Sequence, residues 1–231
     1  MIEPLILLPE MLCDARMWRP QSEALAGERA VMIAPTHLGN TVGEVAAQVL
    51  DAAPRRFALA GLGLGGVVAM EVLRRAPERI GRRALIATDA QAETPQGAAA
   101  REDGLVAARS GRMADAVAAL PSYTALFAGQ ARPEVRRLVQ EMAARLGPDA
   151  FIRQTRLMQR RPEQQRTLGQ LKVPTLILSG AADTACPAKR QEFLAELIGP
   201  AWLEVLPEAG RLPPLEAPDV MTDALRRWLA A

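Results

Sequence analysis

The densest chemical signal in the chain is Phe57-Ala58-Leu59-Ala60-Gly61-Leu62-Gly63-Leu64-Gly65-Gly66-Val67-Val68-Ala69-Met70-Glu71. Its apolar start reads as a buried strand, its glycines as a sharp turn, and the apolar run that follows as a helix. Two spacings overlap there. Gly61-x-Gly63-x-Gly65 has the outline of G-x-S-x-G, in which a serine stands on a strained strand-to-helix turn. Gly61, Gly63 and Gly66 also satisfy G-x-G-x-x-G, a turn that lays a pyrophosphate on a helix N-terminus, and Asp89 ends the next apolar run. Glycine at position 63 has no hydroxyl, so no acyl group can be attached there.

Three further stretches decide between the two spacings. Leu7-Leu8-Pro9-Glu10-Met11-Leu12-Cys13-Asp14 leaves the first apolar strand as a loop. Val173-Pro174-Thr175-Leu176-Ile177-Leu178-Ser179 is a late apolar strand that leads into Gly180-Ala181-Ala182-Asp183. Gly210-Arg211-Leu212-Pro213-Pro214-Leu215-Glu216-Ala217-Pro218 follows the last strand. Over nearly its whole length the chain resembles the α/β-hydrolase superfamily, in particular small lipase- and esterase-like members with a helical lid. The Pro9–Asp14 stretch resembles the oxyanion loop, Gly61–Gly66 the nucleophile elbow, Asp183 the acid loop and Leu206–Leu215 the histidine loop. In that fold the order is Ser, Asp or Glu, then His. The matching positions here hold Gly63, Asp183 and Arg211, and Glu10 stands where such loops usually carry glycine. A dinucleotide site expects its glycine turn after the first strand. Here two strands and a helix precede it, and the other loops would be left without a role.

These departures alter the expected chemistry. A Ser–His mechanism needs an imidazole to accept the hydroxyl proton and return it. Arginine stays protonated and cannot. Beside Asp183, Arg211 is expected to form an ion pair. With the backbone N–H groups of Met11 and Leu64 and the helix N-terminus after Gly63, it would make an anion pocket. Glu10 is a candidate replacement base. His37, the one histidine in the chain, is another, because the loop after the second strand lies on the same sheet edge. Three functional readings stay open. One is a divergent member without serine-hydrolase activity that binds a small, partly apolar or anionic molecule. The second is a lyase, isomerase or cyclase that uses non-covalent chemistry in the same pocket. The third is an ordinary esterase in which Gly63 and Arg211 were introduced. A small-molecule ligand is the expected partner, with no cofactor, no metal, no nucleic acid and no membrane.

The elements needed to hold these residues follow from hydropathy. Pro4–Leu8, Arg29–Ala34, Phe57–Ala60, Arg83–Thr88, Val173–Ser179 and Trp202–Leu206 read as strands, mostly continuous and apolar as in parallel sheets buried on both faces. Helices are expected after Asp14, from Thr41 through Leu50, after Gly63 to about Arg75, from Pro187 to Leu197 and from Pro218 to Leu229. This alternation means a parallel α/β sheet of about six strands with helices on both faces, and the α/β-hydrolase fold is the expected class. Residues 92–170 break the rhythm. Ala98–Ala108, Met113–Ala119, Pro133–Leu146 and Asp149–Gln159 are helical patterns separated by Gly or Pro, expected as a lid within a single 1–231 domain. Leu126, Phe127, Leu157 and Met158 are expected to pack it.

Composition narrows the classes further. The chain has 231 residues, with 49% apolar and 23% charged, an ordinary globular balance. A net charge of +2 is too small to argue for nucleic acid or an anionic membrane. The paired arginines read as solvated helix faces. Cys13 and Cys186 are expected as reduced thiols. The absence of a charged leader or long apolar run points to the cytoplasm.

Overall fold

A computed structural model describes residues 2–128, 133–170, 172–199 and 201–231, with the side chains of 127 and 128 outside that description. The expected packing role of Phe127 therefore falls outside the described side chains. Strands β1 (Leu5–Leu8), β2 (Val31–Ile33), β3 (Phe57–Leu62), β4 (Ile80–Ile86), β5 (Thr175–Gly180) and β6 (Ala201–Leu206) form a parallel sheet in the order β2-β1-β3-β4-β5-β6.

Alternation along the strands explains the continuous apolar runs. On β1, Ile6 and Leu8 join the core on one face, while Leu5 and Leu7 join the core on the other. Phe57 and Leu59 on β3 repeat the first set, and Ala58, Ala60 and Leu62 the second. The first face is covered by α2 (Val42–Ala52), α3 (Leu64–Arg75) and, further along, α10 (Ala188–Ile198). The second face is covered by α1 (Arg19–Leu25) and α12 (Pro218–Ala230), with Trp18 and Trp228 fully buried in it. Side-chain caps fix two helix entries: Asp14 accepts from Arg16 N at 3.0 Å, and Thr41 from Glu44 N at 3.1 Å.

Between β4 and β5 lies a helical insertion: α4 (Pro95–Ala100), α5 (Glu102–Arg109), α6 (Met113–Ala118), α7 (Pro121–Ala128), α8 (Pro133–Gln159) and α9 (Gln165–Gln170). The last short helix, α11 (Pro213–Glu216), follows β6. Helix α8 breaks at Gly147, whose φ of 73° and ψ of −176° are not helical, just before Pro148. That is the boundary expected from sequence between two helical patterns. α7 and α9 were not among the expected helices. No described helix is long and apolar enough to cross a membrane.

Several strand boundaries differ from expectation, β2 and β4 most of all. β2 is shorter, Val31–Ile33, although Ala34 N still donates to Leu7 O of β1 at 3.1 Å; Pro35, which has no N–H, ends the pairing. β4 begins at Ile80 and stops at Ile86, so Ile80, Gly81 and Arg82 precede the expected start at Arg83, and Ala87 and Thr88 lie beyond the strand. Its charged start hides the strand in a hydropathy reading. Arg83 is nevertheless buried, donating to Thr175 Oγ1 at 2.8 Å and Leu168 O at 3.4 Å, and so ties α9 to the sheet. Burial depresses its pKa to about 10.

Candidate active site

The strand order brings the candidate loops together. β1 and β3 are neighbours, yet the chain leaves β1 toward β2 on one side and β3 toward β4 on the other. Ligands in open α/β sheets bind at the carboxyl ends of strands flanking such a switch point. The loop after β1 carries Glu10, and the turn after β3 carries Gly63. The segments after β4, β5 and β6 carry Ala87 and Thr88, Asp183, and Arg211.

Gly63 has φ 54° and ψ −112°, a conformation strained for any residue with a Cβ, and α3 starts at the next residue. The following turn is held close to β1: a Cβ on Gly65 would lie 2.8 Å from Pro9 O and closer still to Leu8 O. Thr88 Oγ1 donates to Gly63 O at 2.8 Å and fixes the bend from the β4 side.

The loop after β1 folds over this bend. Leu12 adopts φ 57°, which reverses the chain, and its N–H donates to Gln154 Oε1 of α8 at 2.9 Å. Gln154 Nε2 donates in turn to Thr36 Oγ1 at 3.2 Å. One buried amide thus joins the insertion, the β1 loop and the β2 loop. In this setting Glu10 Oε1 accepts from Met11 N at 2.6 Å and from Leu64 N at 3.0 Å. The anion expected on these two donors is present, and it is the protein's own carboxylate.

Arg211 completes the arrangement. Its Nη2 is paired with Glu10 Oε2, and its Nη1 donates to Asp183 Oδ2 at 3.1 Å and Ala87 O at 2.9 Å. Ala87 presents that carbonyl from φ 46°, a left-handed conformation that costs about 1 kcal/mol. Asp183 Oδ1 accepts from Ala185 N at 2.9 Å and Cys186 N at 3.1 Å. Glu216 accepts from Gly210 N at 2.8 Å and Leu212 N at 2.5 Å, gripping the loop on both sides of Arg211. The three charged groups are almost wholly inside, with Glu10 and Asp183 4% and Arg211 7% exposed.

Burial alone would lower the pKa of Arg211, but the facing carboxylates of Glu10 and Asp183 outweigh it and push it above the usual value. Arg211 stays charged and takes no proton. Burial pushes the Cys186 thiol up to about 12. Burial, reinforced by Glu10 and Asp14, also raises Cys13. Neither thiol is a nucleophile near neutrality.

His37 is not part of this cluster. It sits partly buried in the β2 loop, where its carbonyl accepts from Arg153 Nε at 3.1 Å, and it lines neither cavity that Glu10 lines. Desolvation and the neighbouring Arg153 lower its pKa. The expectation that a shared sheet edge would bring it to the elbow fails because the β2 loop turns outward under α8. Among the described residues, no three His, Cys, Asp or Glu side chains are grouped to hold a metal ion.

Above the cluster lies a cavity of about 410 Å³ between the strand ends and the insertion. Val67, Leu120, Phe151 and Met158 give it apolar walls, and Glu10 and Arg211 lie at its floor. A narrower arm of about 20 Å³ runs from the same floor toward Tyr123, Leu126 and Val139. Sequence reasoning missed the polar groups that the insertion contributes, Glu93, Arg101, Thr155 and Arg161. Only Thr155 lies within a helix, while Glu93, Arg101 and Arg161 stand in the turns that lead into and out of the helices of the insertion, so no motif spacing marks them.

A parallel sheet with an elbow after β3, an acid after β5 and a polar loop after β6, roofed by helices inserted after β4, defines an α/β-hydrolase. Residues 14–224 match the alpha/beta hydrolase family, and the chain belongs to it. It is 30% identical over 247 residues to the dihydrolipoyllysine-residue acetyltransferase component of the acetoin cleaving system of Pseudomonas putida, covering 98% of this chain. The chain spans 63% of the length of that relative. A malate-bound thermophilic esterase from Thermogutta terrifontis superposes with a TM-score of 0.86 at 26% identity, over 99% of this chain and 89% of that one. A hydrolase from Pseudomonas aeruginosa gives 0.82 at 26% identity, covering 99% and 91%. The enol-lactonase of Burkholderia xenovorans shares the fold, with a TM-score of 0.85 at 22% identity over 100% and 92%.

Proposed function

We propose that this chain binds a small, partly apolar molecule under its helical lid and does not hydrolyse it through an acyl-enzyme. The observation that carries this reading is the Glu10 carboxylate on the N–H groups of Met11 and Leu64. In an acyl-transfer site those donors must be free for the oxygen on which charge develops. Here a fixed negative charge holds them, backed by Arg211. The elbow residue has no attacking oxygen, and the position expected for the base has no proton acceptor. Glycine, glutamate and arginine support one another: a Cβ on Gly63 would strike the Glu10 carboxylate and lie 2.5 Å from Arg211 Nη2.

The same geometry weighs against a lyase or isomerase built on Glu10, since both its oxygens are already engaged. It also weighs against a dinucleotide, whose pyrophosphate would have to displace that carboxylate from the N-terminus of α3. The esterases among the similar structures indicate the ancestry of the pocket.

The purified protein is expected to leave nitrophenyl esters intact and to resist fluorophosphonate probes. Labelling above the level of a heat-denatured control overturns the reading. The combined variant Glu10→Gly, Gly63→Ser, Arg211→His clears the donors and restores the attacking and proton-carrying groups. It is expected to gain measurable esterase activity.

A further inference from the structure

The cavity is electrically lopsided. At its floor, two carboxylates, Glu10 and Asp183, share one guanidinium, Arg211, which leaves an excess of one negative charge. At the lid end, two guanidiniums, Arg101 and Arg161, share one carboxylate, Glu93, which leaves an excess of one positive charge. Both clusters are largely enclosed, where such imbalances are poorly screened. An incoming anion is repelled from the floor, whose cation is already saturated, and drawn to the lid end.

The two lid arginines are not equivalent. Arg161 donates to Gln91 O at 2.8 Å, to Met158 O at 3.4 Å and to both oxygens of Glu93. Arg101 donates only its Nε to Glu93, at 2.9 Å, and its terminal amino groups have no partner among the described residues. It lines the cavity. Helices α4 and α5 run antiparallel to α8, with Gln159 Nε2 donating to Ala98 O at 2.7 Å, Arg156 paired with Glu102, and Phe151 Cζ 3.2 Å from the Cβ position of Gly104. This register sets Arg101 opposite the Thr155–Met158 turn. Thr155 lines the same cavity, is completely buried, and its hydroxyl has no hydrogen-bond partner. A buried hydroxyl left unpaired in a polar, roomy site marks where a ligand atom belongs.

We propose that the occupant is a small monocarboxylic acid whose carboxylate is bound at the lid end by Arg101 and Thr155. Its apolar body lies over Val67, Phe151 and Met158 and points toward the floor. This assignment rests on the binding reading above and adds the ligand's class and orientation. It places the anion away from Arg211.

The test is calorimetric titration of the full chain with matched pairs: hexanoate against hexanamide, and phenylacetate against phenylacetamide. The acids are expected to bind at least tenfold more tightly than their amides. Arg101→Gln should bring the acids down to the amides' affinity while leaving the amides unchanged, and Arg101→Lys should recover part of the difference. Arg161 remains on Glu93 in both variants, so the lid keeps its internal pair. Thr155→Val should weaken the acids by a smaller factor. Equal binding of acids and amides, or an Arg101→Gln protein that still prefers acids, overturns the Arg101 site while leaving the binding reading intact. Failure of both series to bind overturns the proposal. Fluorophosphonate labelling sinks the non-hydrolytic reading alone and leaves the acid–amide comparison to be judged by itself.

Discussion

Gly63, Glu10 and Arg211 behave as one unit because each occupies space or carries charge that the other two require. Gly63 is needed twice, once for its φ of 54° and once because a Cβ there meets the Glu10 carboxylate. Backbone strain for alanine at such an angle is about 1 kcal/mol, and displacing a buried, charge-paired carboxylate adds about 1–3 kcal/mol. Gly63→Ala is therefore expected to destabilise by about 2–4 kcal/mol in the native background. In a Glu10→Gly background the carboxylate clash is gone and only the strain and the Arg211 Nη2 contact remain, so the cost should fall and leave a coupling of about 1–2 kcal/mol in a double-mutant cycle of urea midpoints. Strictly additive costs would show that the two residues do not share this space. Much of this unit was legible in the chain. The order of motifs placed Gly63, Asp183 and Arg211 at one sheet edge, and the type of residue 211 implied its ion pair. The partner of the oxyanion donors was not legible, since the same loop with its glutamate turned outward would read identically. His37 failed for a related reason: a sheet edge fixes where a loop starts, not which way it leans.

Strands and core helices could be read because burial on both sheet faces leaves unbroken apolar runs, and because Thr41, Asp14 and Gly147 punctuate the chain with local chemistry. The first three residues of β4, Ile80–Arg82, could not be read, since Arg82 finds its partners Glu3 and Trp228 O only after the fold has formed. The insertion was legible as helices but not as a surface, because its inward face depends on how α4, α5 and α8 dock. Gln154 shows the dependence well. No local pattern distinguishes it from an exposed helical glutamine, yet it is fully buried and serves both Leu12 N and Thr36 Oγ1. Gln154→Leu keeps the volume but removes the acceptor that satisfies the Leu12 N–H in its left-handed turn. A loss of about 1–3 kcal/mol is expected, the cost of a buried donor left unpaired. Hydrogen exchange should speed up at Leu12 and Met11 relative to the β-strands. Unchanged protection there would remove Gln154 from its role in holding the loop.

At the scale of the molecule, both ends of the helical insertion are tied to each other and to α3 beside the sheet. Gln164 N donates to Ala90 O at 2.8 Å, Arg161 Nε to Gln91 O at 2.8 Å, and Gln164 Nε2 to Glu71 Oε2 at 2.9 Å. Glu71, buried on α3, also receives Arg74 and Arg75, both at 2.7 Å. Burial would raise its pKa, but the donors from Arg74, Arg75 and Gln164 outweigh burial and hold it down at about 2. A carboxyl depressed in the folded state stabilises that state fully only above its unfolded pKa, near 4.5. The contribution is lost as the pH falls from there toward 2. Because the two arginines are partly exposed, the stake is about 1–2 kcal/mol rather than the full cost of a sealed pair. Glu71→Gln should therefore unfold at lower urea than the native chain at pH 7, with the gap closing steadily as pH is lowered below about 4.5. If the gap keeps its size down to pH 3, Glu71 is not the acid-sensitive link among these ties. If it closes on that schedule, tryptophan fluorescence and binding of the neutral amides, which do not titrate in this range, should also fall together in the native chain, since Glu71 ties Gln164 at the end of the insertion to α3.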